Sequence, residues 1–184
     1  MHEHFCDDPQ NFPIDKFLQK GIGKGKKVLI IGESPAPNGW RKSGNAFYTI
    51  KNKLLPTGKN LNKLLNKYGL SVENCRFTEL VKCFVGKDRK LLSSCGEKCW
   101  PVLIKQIAND NSEFLIILGV KTLELFNKLS KQHLEIGKIQ KVELEGKFYI
   151  VLAIYHPSPI SPIGHKRNVE IFNTLDSSIE KLLK

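Results

Sequence analysis

Val28-Leu29-Ile30-Ile31-Gly32-Glu33-Ser34-Pro35 and Tyr149-Ile150-Val151-Leu152-Ala153-Ile154-Tyr155-His156-Pro157-Ser158-Pro159-Ile160-Ser161 share one grammar. In each, an unbroken apolar, β-branched run stops at a polar turn stiffened by proline. Such a run reads as a strand buried on both faces of a sheet. In open α/β sheets, ligands bind at the carboxyl ends of such strands. One strand end then offers the carboxylate of Glu33 and the other the imidazole of His156. That pair suits chemistry on a bond with a poor leaving group.

Outward from these stretches the chain alternates between the two periods. Arg76–Cys83 and Phe114–Leu118 read as further strands. Asn60–Tyr68, Glu97–Ala108 and Lys121–Ser130 read as helices, each with an apolar face. Val142–Leu144 and Phe148–Ile154 flank Glu145-Gly146, a hairpin signal. Residues 168–183 close the chain as one amphipathic helix with Val169, Ile171, Phe172, Leu175, Ile179 and Leu182 in its stripe. Strands alternating with helices predict a three-layer α/β/α fold around a mainly parallel, four-stranded sheet. Ala36–Thr57 is a long loop, and loops of that length in a compact domain carry function.

The chain has 184 residues, enough for one domain with a full core. We expect an N-terminal leader over 1–26, ending in the glycine- and lysine-rich 21–27, and a single domain over 27–184. A net charge of +11 favours a polyanionic partner through phosphate neutralisation. No apolar run is long enough to span a membrane and the N-terminus lacks a signal-peptide core, so a cytoplasmic protein without membrane contact is expected. Five cysteines suit reduced or metal-bound thiols. Phosphate-loop, paired-carboxylate metal and nucleophile-elbow motifs are absent, which argues against a nucleotide hydrolase.

The two strand-end motifs, taken with three others in order, resemble the uracil-DNA glycosylase superfamily, and most of all its bacterial and archaeal iron–sulfur branch. Gly44-Asn45-Ala46-Phe47 sits where that family has a base-stacking Phe. Glu79-Leu80-Val81-Lys82-Cys83 resembles its Asn-Val-Val-Lys-Cys strand, and Leu115-Ile116-Ile117-Leu118-Gly119 its third strand and glycine turn. The resemblance implies a monofunctional, monomeric enzyme that binds DNA, flips an altered base and hydrolyses its N-glycosidic bond without a catalytic metal. Glu33 then stabilises the sugar cation and orients water, with Asn38 in reserve. His156 donates to the departing base, and Phe47 stacks on it, a role Tyr48 or Trp40 could take over. Ile160 fills the vacated site, while Ser158, Ser161, Lys166 and Arg167 contact phosphates. No lysine stands where it would form a Schiff base, so strand cleavage is not expected. The alternative is a nucleic-acid-binding protein on the same fold without catalysis.

Two positions depart from the family. Where it reads uracil with an Asn, this chain has Glu79. An amide both accepts from N3–H and donates to O4, whereas an ionised carboxylate only accepts and repels O4 unless protonated. A cytosine-derived lesion or hypoxanthine therefore stands beside uracil as substrate, and a strand-end ion pair with Lys82 or Lys87 is the structural alternative. Cys83 and Cys99 match two cluster ligands of the iron–sulfur branch, but its N-terminal C-x-x-C pair is missing. Cys6, Cys83, Cys95 and Cys99 are then the expected ligands of a structural 4Fe-4S cluster, or of zinc.

Overall fold

The computed structural model describes residues 4–21, 28–86, 88–160 and 162–183. Strands β1 (Leu18–Gln19), β2 (Val28–Gly32), β3 (Arg76–Glu79), β4 (Phe114–Leu118), β5 (Ile139–Leu144) and β6 (Lys147–Ile154) form one sheet in the order β1-β3-β2-β4-β6-β5. The four central strands β3, β2, β4 and β6 run parallel, as expected. Two antiparallel edge strands, β1 and β5, extend the sheet to six. The helices are α1 (Trp40–Ser43), α2 (Pro56–Leu65), α3 (Leu91–Asn109), α4 (Val120–Ser130), α5 (Pro162–Thr174) and α6 (Asp176–Leu182).

The period of two divides the core into two halves. Leu29, Ile31, Leu115, Ile117, Val151 and Ala153 pack with Leu103, Ile107 and Phe126 of α3 and α4. Val28, Ile30, Ile116, Leu118, Leu152 and Ile154 pack with Leu61, Leu65, Phe172 and Ile179 of α2, α5 and α6. The sheet is thus sandwiched by helices on both faces. The β5–β6 hairpin turns at Glu145 (φ 49°) and Gly146 (φ 74°), the left-handed pair that a two-residue type I′ loop demands.

Several element ends differ from expectation. α2 begins at Pro56, which suits the first helical position because its missing N–H would have no partner there. Strand β3 stops at Glu79, and the chain then turns so that Lys82 and Cys83 leave the sheet. α3 starts at Leu91 and brings Cys95 and Cys99 onto one helix. The closing helix is two helices, because Leu175 (φ −96°, ψ 7°) departs from helical geometry. The Asp176 carboxylate there is held by Tyr68 Oη (2.8 Å) and Lys67 Nζ (2.5 Å).

The described part of the expected leader is built into the domain. β1 pairs with β3, Cys6 is buried in the α3–α4 half of the core, and Phe5, Phe17, Trp40, Phe77 and Phe47 form a chain of ring contacts with centroids 4.6–6.2 Å apart. Gln106 of α3, fully buried, fastens this segment. Its amide nitrogen donates to the carbonyls of Ile14 (2.7 Å) and Lys16 (3.1 Å), and its oxygen accepts from Thr78 (2.7 Å) and Lys82 (2.5 Å). Most of the expected glycine-rich stretch, residues 22–27, lies outside the described residues.

Replacing Gln106 removes four hydrogen bonds at once, from Thr78 and Lys82 in the core and to the Ile14 and Lys16 carbonyls of the N-terminal segment, each worth about 0.5–1.5 kcal/mol. Gln106→Leu should therefore lower unfolding stability by about 3 kcal/mol, read as a shift in the urea midpoint at unchanged slope.

Candidate active site and thiol cluster

The loops after the parallel strands meet at one edge of the sheet, around a cleft of about 1000 Å³. Glu33, Phe47, Phe77, Glu79, Arg89 and His156 all line it. The expected carboxylate and imidazole therefore share one cavity.

His156 sits where β6 ends, and its position is fixed from several sides. The Asn168 carboxamide of α5, fully buried, accepts from the backbone N–H of Tyr155 (2.9 Å) and donates to its carbonyl (2.8 Å). Asn60 of α2 donates to the Pro157 carbonyl (2.9 Å). Gly119 N–H donates to the Ile154 carbonyl (2.8 Å); its φ of +99° favours glycine, and an added Cβ would sit tightly, 3.3 Å from His156 Cβ. The backbone N–H of Ser158 donates to His156 Nδ1 (3.2 Å). An Nδ1 that accepts leaves the neutral ring's proton on Nε2. The ring is open to solvent from the cleft, yet the protein around it holds its pKa below the ordinary value, with the Glu33 charge opposing. His156 is thus a neutral Nε2–H donor at pH 7.

Glu33, directly after β2, pairs with the Arg89 guanidinium at the cleft mouth. Glu79 is the register partner of Gly32. Its carboxyl crosses over that glycine so closely that a Cβ on residue 32 would lie 2.2 Å from Oε2. Of the two ion pairs weighed for Glu79, the one with Lys82 does not form. The Lys82 ammonium donates instead to Thr78 Oγ1 (2.8 Å), Gln106 Oε1 (2.5 Å) and the backbone carbonyl of Glu79. Lys87 lies outside the described residues. Burial pushes Glu79 up to about 8 and Lys82 down to about 7.

Phe47 lines the cleft but is almost fully buried, its ring edge-on to Phe77 at 4.6 Å. Trp40 stacks on Phe77 behind it, and Tyr48 is turned to Glu73. Asn38 does not line the cleft. It lies exposed on the rim, its oxygen accepting from Lys42 (3.3 Å), because the turn into α1 carries it outward. Ile160 is 93% exposed beside the His156 loop. The Ser158 hydroxyl accepts from the Ile160 N–H (3.3 Å) and so braces the loop. Lys166 and Arg167 are exposed on α5, with Arg167 donating to Tyr155 Oη (3.2 Å); Ser161 lies outside the described residues.

A second constellation lies on the α3 face. Cys6 Sγ and Cys83 Sγ are 2.9 Å apart, and the donor atoms of His4, Cys6, Cys83 and Cys95 all lie within 4.8 Å of one another. Cys99, one turn beyond Cys95, interacts with Cys83 and accepts from the Lys82 N–H (3.2 Å); Cys83 likewise accepts from the Phe5 N–H (3.2 Å). Hydrogen bonds from Cys99, Cys6 and that N–H hold the Cys83 thiol far below its ordinary value, so the group carries a thiolate. Burial pushes Cys6 and Cys95 up. Soft, clustered sulfurs with backbone N–H donors aimed at them fit a metal ion or an iron–sulfur centre. Cys75 is buried in the other half of the core.

Sequence reasoning missed His4, Arg89, Asn60 and Asn168. His4 and Cys6, spaced as His-x-Cys, were the legible signal for the first; the others act through long-range contacts that leave no local pattern.

The family model described as "Uracil DNA glycosylase superfamily" matches residues 21–176. A type-4 uracil-DNA glycosylase from Archaeoglobus fulgidus is 29% identical over 146 residues, which cover 76% of this chain and 70% of the relative. With a parallel sheet whose strand ends deliver Glu33 and His156 to one cleft, a match over most of the chain leads to one conclusion: it belongs to the uracil DNA glycosylase superfamily and is a DNA glycosylase.

Proposed function

We propose that the chain is a monofunctional glycosylase that removes a deaminated base from DNA, uracil or a close relative, for base excision repair. The observation that carries this reading is the convergence of Glu33 and of a neutral, Nε2-protonated His156 on one cleft. N-glycosidic cleavage builds positive charge on the sugar and negative charge on the departing base. The Glu33 carboxylate stabilises the first and orients the attacking water, while His156 Nε2–H donates to the base oxygen as negative charge grows there. Phe47 and Phe77 offer an aromatic wall to the extracted base. Exposed Ile160 follows the His156 loop where an apolar side chain can occupy the vacated stack. Lys166 and Arg167 extend the basic surface toward phosphates.

The thiol cluster is assigned to a structural centre, a 4Fe-4S cluster or zinc, held by Cys6, Cys83, Cys95 and Cys99 with His4 beside them. Such a centre ties the N-terminal segment to β3 and α3 and adds binding free energy to folding. A type-4 relative and the clustered sulfurs support this assignment.

Glu33→Gln and His156→Ala should each slow base release from a uracil-bearing oligonucleotide by about 10²-fold or more, while binding of the same oligonucleotide persists. Full activity in Glu33→Gln would remove the carboxylate from the mechanism. Wild-type protein that forms no abasic site on uracil, hypoxanthine, xanthine or mismatched thymine would instead favour a binding protein without catalysis.

With a net charge of +11, DNA affinity should fall linearly in a plot of log K against log salt. An affinity unchanged between low and physiological salt would refute phosphate neutralisation.

Protein purified anaerobically should contain iron and sulfide, or about one equivalent of zinc, and Cys83→Ala should lose the metal together with several degrees of melting temperature. Metal retained in full by Cys83→Ala would place the centre elsewhere.

A further inference from the structure

Glu79 stands where a base-reading group is needed, yet an ionised carboxylate is the wrong reader for uracil. Three observations resolve the conflict. The carboxyl lies across Gly32, where a Cβ would stand 2.2 Å from Oε2, so the glycine leaves it room at the head of the cleft. It lines the cleft together with Phe47, Phe77 and His156, so it faces the space an extracted base would fill. It is 6% exposed and, among the described residues, has no basic side chain in ion-pair contact.

The charged groups around it come from every neighbouring element. Glu33 follows β2 and is itself paired with Arg89. Lys82 follows β3 and gives its N–H bonds to Thr78, Gln106 and the Glu79 backbone. Lys121, Asp88 and His156 line the cleft further off. The Trp40 indole N–H is buried nearby and makes no formed hydrogen bond. Burial is the largest influence on Glu79, and Glu33 adds to it; Lys82 and the Trp40 N–H oppose them.

We infer that Glu79 reads the base as a neutral carboxylic acid, its carbonyl oxygen accepting from a ring N–H and its hydroxyl donating to the adjacent ring carbonyl. A carboxylic acid presents the same acceptor and donor pair as a carboxamide. The substrate class is therefore a base with an imide-type edge, an N–H next to a C=O, as in uracil and hypoxanthine. With the pKa at about 8, the acid form prevails at pH 7 and gives way to the carboxylate above pH 8. The ionised form repels the ring carbonyl, so recognition weakens as pH rises through that value. His156, held below its ordinary value, stays neutral throughout pH 7–9 and contributes no change.

This inference rests on the glycosylase reading of the cleft, and the two can fail separately. The test measures binding, at fixed salt between pH 7 and 9, of single strands carrying one 2′-fluorinated deoxyuridine or 2′-fluorinated deoxyinosine, whose glycosidic bonds resist hydrolysis. Strands carrying a tetrahydrofuran abasic analogue at the same position, which offers no base edge, serve as the reference. Wild-type affinity for an imide base relative to the reference should drop about tenfold from pH 7 to 9, the change one unit of ionisation produces. Glu79→Gln, permanently neutral, should lose this dependence and bind more tightly than wild type at pH 9. Glu79→Ala should discriminate poorly at both ends of the range. Which of uracil and hypoxanthine shows the effect identifies the base. A wild-type profile that is flat, or that Glu79→Gln reproduces, overturns the inference. Base release measured on unmodified strands decides the parent reading. Release without the pH effect leaves a glycosylase whose base is read by other groups. The pH effect without release leaves Glu79 as the reader in a protein that does not cleave.

Discussion

Parallel register is the constraint on which the rest of this structure depends. β3, β2, β4 and β6 all run the same way, so all four end at the same edge of the sheet. Residues far apart in the chain are delivered there without further instruction: Glu33, Glu79, Gly119 and His156 each stand at or just past a strand end. The antiparallel hairpin partner β5 and the short edge strand β1 add sheet but no group to this edge. Two glycines make the crowding possible. Gly32 lets the Glu79 carboxyl lie across the backbone, and Gly119 lets the β4 turn pass beside the His156 side chain.

Burial then sets the chemistry of what has been gathered. Burial moves the Glu79 carboxyl up, and the protein around the cleft-exposed His156 ring holds its imidazole below the ordinary value. On His156 the neutral proton sits at Nε2, because Nδ1 accepts from the Ser158 N–H. Glu33, at the mouth beside Arg89, keeps contact with solvent and a cationic partner, and so supplies the negative charge.

The sheet and the two strand-end groups were legible because uninterrupted β-branched runs followed by proline-bearing turns have few other readings. Edges and ends were less so. β1 is only two residues long and lacks any periodic signature, and Leu175 breaks the final helix without disturbing its apolar stripe. Three of the expected cysteines, Cys6, Cys83 and Cys95, gather with His4, which joins through a contact that no local pattern encodes, while Cys99, one turn on along α3, meets Cys83 from outside that group. Asn38 shared a loop with Glu33 in sequence but not a direction in space, because the chain turns into α1 between them and the cleft wall. The protonation state of Glu79 depends on surroundings contributed by β2, α1 and the turn after β3, and a sequence carries no measure of them.

The attachment of residues 4–20 has a kinetic consequence. The anchors of this segment are remote: Cys6 meets Cys83 across 77 positions, and Gln106 reaches back 92 and 90 positions to the carbonyls of Ile14 and Lys16. Closing such loops is slow and costs chain entropy that only the finished β3–α3 surface can offset. The segment is therefore the last part of the domain to dock and the first to detach. Because its rings run from Phe5 through Phe17 and Trp40 to Phe77, detachment reaches the wall of the cleft. Opening of the N-terminus and loosening of the cleft wall are thus linked through one row of rings.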